Sequence, residues 1–336
     1  MAYADFIPEN VAPSNARRIG IYDSNGNRVG QIPLGSLAFP DVGAKLYSFG
    51  ALSDVHVTYQ TGESDFINAL KYFNTQTDVE FICLAGDLAT VGTDDNLSRY
   101  RNLVDANSPN LPIYVSAGNH DSYDANWAFR PDAEVSASML TYTGNPLYYS
   151  FERGDDVFIF VGVCNGIFSK AELQWLYETL EANRNKRCFV FEHVFPWDGS
   201  GDVLDAYGTN LLTGTYSSVF LSLMRHYKNV LWFHGHSHVK FDGQLYGDMA
   251  NIDRLYGMYS LHIPSLASPA EGDADRGYIY ADSEGYLVDV YENGIHLRGR
   301  DFVKGEFLPI ASYWLDTTLQ TIPAGTYTDI TGTITK

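Results

Sequence analysis

The chain has 336 residues, of which 45% are hydrophobic and 14% aromatic, and this composition supports a buried core and excludes a disordered chain. Its formal net charge of −19 disfavours a long nucleic-acid partner, because such binding depends on Lys and Arg replacing condensed counterions. There is no basic leader with an apolar run and no stretch of about 18 uncharged apolar residues, so we expect no membrane association and a cytoplasmic location.

The amino-terminal part changes its pattern near Lys45. Residues 1–43 are rich in Gly, Pro and Asn without a helical period, which predicts an extension of short strands and turns. Strands then alternate with helices, as is typical of an α/β fold. The first two strands are predicted to end at Asp54 and Asp87, and a helix capped by Ser64 is expected to run from Ser64 to Thr75.

The middle of the chain continues this alternation. A helix near Asp95 to Ala106 precedes the strand LPIYVSAGNHD, and YYSFER and VFIFVGV are predicted to pair as a hairpin across Gly154. A further helix is expected from Ser169 to Asn183, with Ser169 and Glu172 forming a capping box. The strand RCFVFEH then ends at His193.

The last third begins with a helix near Tyr216 to Tyr227, followed by NVLWFHGHSH. Four alternating runs, GMYSLHIPS, RGYIYADS, GYLVDVYENG and IHLRGRDF, predict a second, antiparallel sheet layer. From Leu308 the chain is Thr-rich and weakly charged, which indicates a small β appendage. We therefore expect a two-sheet β-sandwich flanked by helices at 44–302, with small β-rich extensions at 1–43 and 303–336.

The three cysteines show no disulfide pattern. Cys83, Cys164 and Cys188 each lie within an apolar, strand-like run, and their number is odd. We expect all three to be buried free thiols.

Five short motifs each follow a strand-like run: SDVH at 53–56, GD at 86–87, GNHD at 118–121, His193, and GHSH at 235–238. Loops at the carboxyl ends of strands in α/β sheets converge on one edge, so these motifs could share a site. Singly, the aspartates could be turn residues and His193 a structural histidine. Together, their imidazole and carboxylate groups suit Mn, Fe, Zn or Co, and the absence of Cys disfavours a thiolate zinc site.

The order and spacing of these blocks resembles the calcineurin-like metallophosphoesterase family from about Leu46 to Val239. The resemblance implies two bound divalent or transition-metal ions, with Asp87 bridging them. It assigns Asp54, His56 and His238 to one ion and Asn119, His193 and His236 to the other.

The resemblance also implies an activity, the metal-dependent hydrolysis of a small phosphodiester or phosphomonoester by a metal-bridging hydroxide. His120, beside Asn119, would act as general acid toward the leaving group. Asp121 would orient the His120 imidazole by accepting a hydrogen bond from its other nitrogen.

Finer features narrow this interpretation without fixing a substrate. GNHD resembles the branch similar to cyclic-nucleotide phosphodiesterases, and GDLATVG lacks the Tyr of purple acid phosphatases, so no charge-transfer tyrosine ligand is expected there. We expect His234 to support or pack beside the site. His226, His262 and His296 are expected to be structural or exposed.

Substrate specificity is expected from three loops, Tyr123 to Arg130, Pro196 to Tyr207 and Pro264 to Ala270. Three aromatic residues could stack a base or an aromatic leaving group, or could instead seal these loops against the core; they are Tyr123, Trp127 and Trp197. Arg99 or Arg130 could bind a second phosphate.

Two alternatives remain open. The chain could be a binding or structural module that retains the enzyme fold and attaches through its extensions to an assembly partner, such as a phage particle or a cell-surface array. It could also be a nuclease of the same family, which the acidic charge disfavours unless a local basic groove exists.

Overall fold

The computed structural model describes residues 18–22, 28–33, 42–162, 167–196, 216–241, 251–254, 257–269 and 282–325. Two six-stranded sheets pack against each other, and helices cover their outer faces. The predicted α/β fold with a two-sheet sandwich is therefore confirmed. Among the described residues, no helix is long and apolar enough to cross a membrane.

The first sheet has the strand order β14-β13-β12-β3-β4-β5. Its strands β3, β4 and β5 are parallel, whereas β12, β13 and β14 are added to them in antiparallel pairs. Their bounds are β3 Lys45–Leu52, β4 Val79–Ala85, β5 Ile113–Ser116, β12 Glu284–Tyr291, β13 Gly294–Asp301 and β14 Glu306–Asp316.

The second sheet has the order β10-β11-β9-β8-β7-β6. Strands β7, β8, β9 and β11 are parallel, and an antiparallel strand borders them on each side. The bounds are β6 Tyr148–Arg153, β7 Asp156–Val161, β8 Arg187–Phe191, β9 Val230–His234, β10 Ile252–Asp253 and β11 Tyr259–His262. A separate antiparallel pair, β1 Arg18–Tyr22 and β2 Arg28–Pro33, lies in the predicted amino-terminal extension.

Within the described ranges, six helices connect these strands: α1 Gly62–Thr75, α2 Asp94–Asn107, α3 Asn119–Ser122, α4 Asp132–Thr143, α5 Lys170–Ala182 and α6 Ser217–His226. Apolar side chains of α1, α2 and α4 pack on the outer face of the first sheet, and those of α5 and α6 on the outer face of the second. The capping box predicted at the start of α5 is confirmed, since Glu172 N–H donates to Ser169 Oγ at 3.2 Å and Ser169 N–H donates to Glu172 Oε2 at 2.8 Å.

Aromatic rings fill the space between the two sheets. Phe49 of β3 stacks on Phe81 at 5.6 Å between ring centroids and meets Phe158 and Phe189 of the opposite sheet edge-on at 5.2 and 5.5 Å. All four rings are buried. The high aromatic content therefore serves a fully buried interface between sheets, where offset and edge-to-face ring pairs add to the burial of apolar area.

Two expectations about individual elements are wrong, and one helix was not expected. Helix α1 begins at Gly62, and the Ser64 hydroxyl donates to the Thr61 carbonyl at 2.7 Å instead of capping the helix. The GMYSLHIPS strand pairs in parallel with β9 in the second sheet, so it does not join β12 and β13 in an antiparallel layer. Helix α4 was not predicted, because its apolar positions show little amphipathic periodicity.

The carboxy-terminal part contributes to the sandwich. The predicted division at residue 302 stays a prediction, but β14 lies beyond it and pairs with β13, and its Ala311 and Leu315 belong to the core between the sheets. Residues 306–316 are thus part of the sheet and not a separate appendage.

Cys83 and Cys188 are buried free thiols, as predicted. Cys164 lies outside the described residues, as does most of the RGYIYADS run.

Candidate metal centre

The predicted ligands meet at the carboxyl ends of the central strands of both sheets. Each lies within a few residues of its strand's last position, which is where parallel strands present loops to a common edge. Asp54 and His56 follow β3, Asp87 follows β4, Asn119 opens α3 after β5, His193 follows β8, and His236 and His238 follow β9.

These loops hold the ligands in an unusual backbone conformation. Asp54, His56, Asp87, His236 and His238 have φ angles of 55, 44, 53, 74 and 60°, a left-handed region that residues other than glycine adopt infrequently. Backbone hydrogen bonds between loops fix this geometry, such as His56 N–H to the Asp87 carbonyl at 3.0 Å. Such strain persists only where the surrounding structure determines it, and it is common at functional sites.

Glycines allow the loops to approach one another. A Cβ on Gly86 would lie 2.6 Å from Cβ of His193, and a Cβ on Gly118 would lie 2.5 Å from the Asp87 backbone nitrogen. Gly86 also has a φ of +84°, which strains any side chain. The glycines of the GD and GNHD motifs therefore have a local steric role in this chain.

One group of ligand atoms is centred on Asp54. Its Oδ1 lies 3.0 Å from His238 Nε2 and 3.6 Å from His56 Nε2, and His56 Nε2 is also 3.6 Å from Asp87 Oδ2. The ligand atoms of these four residues all lie within 4.8 Å of one another, a spacing that can hold a metal ion. All four residues are buried.

A second group shares Asp87 with the first. Asp87 Oδ2 lies 3.0 Å from His193 Nε2, and His193 Nε2 lies 3.3 Å from His236 Nδ1. These three residues form another group that can hold an ion. Asn119 lines the same cavity, and its Oδ1 is buried without a hydrogen-bond partner among the described residues, which suits an oxygen that binds a cation.

Hydrogen bonds behind the histidines select which ring nitrogen faces the centre. His193 Nδ1 lies 2.7 Å from the Ala85 carbonyl, and His238 Nδ1 lies 2.8 Å from Ser268 Oγ and 3.2 Å from the Ser268 carbonyl. A carbonyl accepts a hydrogen bond from Nδ1–H, so in the neutral form of each ring the lone pair is left on Nε2, the atom that faces the carboxylates.

The charges at the centre are strongly coupled. Although burial opposes it, the Asp87 and Asp54 carboxylates raise the pKa of His193 to about 10. Burial and the charged His193 lower the pKa of His236 to about 3. Despite burial, His238 and His193 hold the pKa of Asp54 well below its usual range. Two buried carboxylates thus require positive charge close by, which a metal ion supplies as well as a proton does.

His120 stands at the side of the centre and is partly exposed. Its Nδ1 lies 2.8 Å from the Thr90 carbonyl, and its ring centroid lies 4.6 Å from that of His56. Its backbone N–H donates to Asp87 Oδ1 at 2.9 Å. The ring is therefore oriented by a backbone carbonyl, and its Nε2 is the nitrogen left to exchange a proton.

The expected hydrogen bond from His120 to Asp121 is wrong. The buried Asp121 carboxylate instead accepts the backbone N–H groups of Leu88 at 2.9 Å, Ala89 at 3.1 Å and Gly118 at 2.8 Å. Asp121 therefore fixes the GD loop against the GNHD loop and acts on the backbone, not on the imidazole.

Of the other predicted residues, one supports the metal centre and two lie away from the cavity. Buried His234 contacts Ser260 Oγ at 3.1 Å beside the centre, as expected of a supporting residue. Arg99 pairs with Glu63 at the surface, and Arg130 donates to the carbonyls of Gly92 and Glu134 and to Ser138, so neither lines the cavity. Trp197 and the segment 197–207 lie outside the described residues.

Sequence reasoning missed residues that complete the cavity wall. Tyr59 and Thr90 line it. Ser268, which lies in the predicted loop Pro264 to Ala270, lines it too, as does Trp127, one of the three aromatic candidates. Thr90 and Ser268 act through backbone carbonyls or a single hydroxyl, so no motif marks them.

A third group of close carboxylates, Asp282, Glu284 and Asp301, lies apart from these two. Lys240 and Lys304 both pair with Asp282, and Glu284 accepts the Phe241 N–H at 2.8 Å. Its charge is met by lysines, and it is best described as a structural ion cluster.

Two sheets with buried Asp and His side chains at their carboxyl edge define an α/β protein with a cluster of side chains that could hold metal ions. The family model described as calcineurin-like phosphoesterase matches residues 47–240, more than half of the chain, and the chain belongs to this family. Members of the family use divalent metals, and the Asp/His cluster provides donors for them.

Comparison with individual proteins gives more distant likenesses. The chain is 24% identical to Sphingomyelin phosphodiesterase 2 of Caenorhabditis elegans over 297 residues, 70% of this chain and 45% of that protein, so it spans less than half of that relative's length. Vacuolar Protein Sorting 29 from Cryptosporidium parvum matches with a TM-score of 0.40 and 13% identity, over 81% of this chain and all of that chain. Haemophilus influenzae NAD nucleotidase matches with a TM-score of 0.37 and 15% identity, over 75% of this chain and 46% of that chain. At these TM-scores, neither structure carries an argument about function.

Proposed function

We propose that the chain is a metal-dependent hydrolase of a small phosphodiester or phosphomonoester. The observation that carries the proposal is the pair of buried ligand groups that share Asp87, one with Asp54, His56 and His238 and the other with His193 and His236. Family membership supports the same activity. The partner of the chain is then a small phosphoester.

The donor set fits two divalent or transition-metal ions, Mn, Fe, Zn or Co. Imidazole nitrogens and carboxylate oxygens are borderline to hard ligands, and Asn119 would add a further oxygen. Bound cations would supply a water nucleophile activated near neutral pH and would neutralise charge that develops on the phosphoryl oxygens.

The residues of the chain position the reaction around this centre. The strained loops, joined by backbone hydrogen bonds, hold the ligands in place before a substrate binds. The site therefore needs little rearrangement of its side chains during the reaction. His120 is proposed as the general acid, since Nδ1 donates to the Thr90 carbonyl and Nε2 of the protonated ring can donate to the leaving-group oxygen. Asp121 supports the two loops through their backbone amides.

The cavity wall favours a small substrate over a polymer. None of the ten described residues that line it is Lys or Arg, so this described part of the wall offers no basic groove of the kind that a nuclease of this family would need. The net charge of −19 acts in the same direction.

The test is metal analysis coupled to a phosphoester panel. Purified protein should hold about two metal ions per chain and hydrolyse at least one of bis-p-nitrophenyl phosphate, p-nitrophenyl phosphate, a cyclic nucleotide or sphingomyelin, the lipid named in the C. elegans relative. Asp87→Asn should lose both metal and activity. Metal-loaded wild-type protein that is inactive on the whole panel would contradict the proposal.

A further inference from the structure

An exposed tryptophan stands at the mouth of the metal centre. Trp127 is 56% exposed, yet it lines the cavity together with His120 and Tyr59. The ring centroids of Trp127 and His120 lie 5.5 Å apart, with an angle of 85° between the planes. Trp127 therefore forms the part of the wall next to the proposed general acid.

The loop that carries Trp127 is built to hold it in place. Asp124 Oδ1 accepts the backbone N–H groups of Asn126 at 2.7 Å and Ala128 at 3.0 Å, and Trp127 N–H donates to the Asp124 carbonyl at 3.0 Å. Trp127 has a φ of 63°, which a bulky residue adopts only where its surroundings impose it. The indole is thus presented to the cavity by a preorganised turn.

The position beside His120 identifies the part of the substrate that Trp127 would meet. In the proposed reaction, the water oxygen loses a proton to solvent and forms a bond to phosphorus, the bond from phosphorus to the leaving-group oxygen breaks, and His120 gives its proton to that oxygen and is later reprotonated from solvent. The group carried by this oxygen then lies against the wall on the His120 side, where Trp127 stands.

The charge of the wall indicates what kind of group fits. Asp87 is the only carboxylate among the ten lining residues, and it belongs to the proposed ligands. Asp124, which is not among the described lining residues, accepts two backbone N–H groups on Oδ1. Among the described lining residues, a cationic group beside Trp127 would find no carboxylate other than Asp87 and would be repelled by bound metal ions, whereas an uncharged planar ring would gain stacking on the indole.

We infer that Trp127 is a substrate-binding residue that stacks on an uncharged aromatic ring carried by the leaving group. The substrate class is accordingly a small phosphoester of an aromatic or base-bearing alcohol. This inference rests on the proposed function, since it places the leaving-group oxygen at His120.

The test compares kcat/KM for matched substrates between wild type and Trp127→Ala. Wild type and Trp127→Ala are assayed on methyl 4-nitrophenyl phosphate, on methyl trifluoroethyl phosphate, and on a methyl phosphodiester with a choline leaving group. The ratio of kcat/KM between two substrates, compared between two proteins, cancels the intrinsic reactivity of each leaving group. Trp127→Ala should lower kcat/KM for the aryl ester about tenfold more than for the alkyl ester.

Two variants and one binding measurement sharpen the result. Trp127→Phe should recover most of the aryl preference, and Leu140→Ala, which removes an equally exposed apolar side chain on α4, should leave the ratio unchanged. The inhibition constant of phenylphosphonate should rise in Trp127→Ala more than that of cyclohexylphosphonate.

The possible results distinguish the stacking role of Trp127 from the proposed hydrolase function. If wild type hydrolyses the esters but Trp127→Ala changes all of them equally, the stacking role is wrong and the proposed function stands. A selective loss on the choline ester would overturn the uncharged occupant in favour of a quaternary ammonium. If metal-loaded wild type cleaves none of these esters and no substrate of the phosphoester panel, the proposed function itself fails; if it cleaves only the panel, equal inhibition constants of phenylphosphonate in wild type and Trp127→Ala would overturn the stacking role.

Discussion

His120 combines a fixed orientation with access to the cavity. Its Nδ1 is held by the Thr90 carbonyl, and the ring lies beside His56 without belonging to either group of ligand atoms. A residue in this position can move a proton while the metal ligands remain in place.

We therefore predict that His120→Ala lowers kcat by a factor of about 10² to 10⁴ while the metal content per chain is unchanged. Steady-state kinetics and elemental analysis of the same preparation measure the two quantities. A parallel fall in bound metal would show that His120 is a ligand and would contradict its proposed role.

Glycine is required at the metal centre for two reasons, the positive φ angle and the lack of room for a Cβ atom. Gly86 has a φ of +84° and would place a Cβ against His193, whereas Gly144 has a similar φ of +76° with nothing within 4 Å. Gly86→Ala should therefore lose metal and activity, and Gly144→Ala should cost about 1 kcal/mol of stability at unchanged metal content. Equal behaviour of the two variants in metal analysis would argue against the steric explanation.

Metal binding should release a proton from His193. The pKa of its ring is raised to about 10 in the metal-free site, so the ring is charged at neutral pH, and a cation needs it neutral. The apparent affinity should fall about tenfold for each unit by which pH is lowered below that value. Isothermal titration calorimetry in buffers of different ionisation enthalpy counts the proton directly, and a heat independent of the buffer would contradict the prediction.

The raised pKa of His193 makes the stability of the metal-free protein change with pH in the opposite direction to the metal affinity. Because the pKa of His193 lies above its unfolded value of about 6.5, the charged ring adds stability that is complete below about pH 6.5. This contribution is lost as pH rises toward 10.

At the scale of elements, most strands and helices could be predicted, but their pairing could not. Apolar runs located β3 and β4, a helical period located α5, and the capping box fixed the start of α5. The start of α1 was missed by two residues because Ser64 was taken as the cap, whereas Thr61 precedes the helix and makes no side-chain capping hydrogen bond. The parallel pairing of β11 with β9 depends on contacts between residues about 28 positions apart, which local patterns do not encode.

The candidate site was easier to predict than the topology. Each ligand is a chemically distinctive residue directly after a strand, and strand ends converge whatever the strand order. The supporting groups were not predictable, since Thr90 and Ala85 contribute backbone carbonyls that any residue could supply.

Arg187 joins several elements at the end of the sandwich opposite the metal centre. Its guanidinium pairs with Asp156 Oδ1 at 2.8 Å and Oδ2 at 2.7 Å, and it donates to the carbonyl of Tyr291 at 2.8 Å and to Thr317 Oγ1 at 2.9 Å. Both charged side chains are buried, so removal of one leaves an uncompensated charge.

We predict that Arg187→Ala lowers the free energy of unfolding by about 3 to 5 kcal/mol, measured by urea denaturation. The control is Arg101→Ala, which removes an exposed pair with Asp105 on α2 and should cost under about 1 kcal/mol. Similar losses in the two variants would refute a special contribution of the buried pair. Folded Arg187→Ala should still bind metal, because the two sites lie at opposite ends of the strands.

At the scale of the whole molecule, both sheets depend on a shared aromatic core and on an edge strand from the end of the chain. Strand β14 covers the edge of β13, places Leu315 in the core and lies beyond the predicted boundary at residue 302. Farther along, Gln320 N–H donates to Asn229 at 3.0 Å and Ile322 N–H donates to Asn185 at 3.1 Å, which fastens the chain to the second sheet. One terminal segment thus contacts both layers.

A chain that ends at residue 302 should therefore fail to fold as a soluble monomer, because it exposes the β13 edge and lacks Leu315, whose place in the core is left empty. Circular dichroism and size-exclusion chromatography measure this, with Leu315→Ala as a milder variant that should cost about 2 to 5 kcal/mol in the full chain. If the truncated chain were folded, monomeric and as active as the full one, residues 303–336 would be the separable extension that the sequence predicts. If the truncated chain does not fold, β14 is needed for the sandwich itself. Any attachment to an assembly partner through residues 303–336 would then have to use surfaces of this segment other than β14.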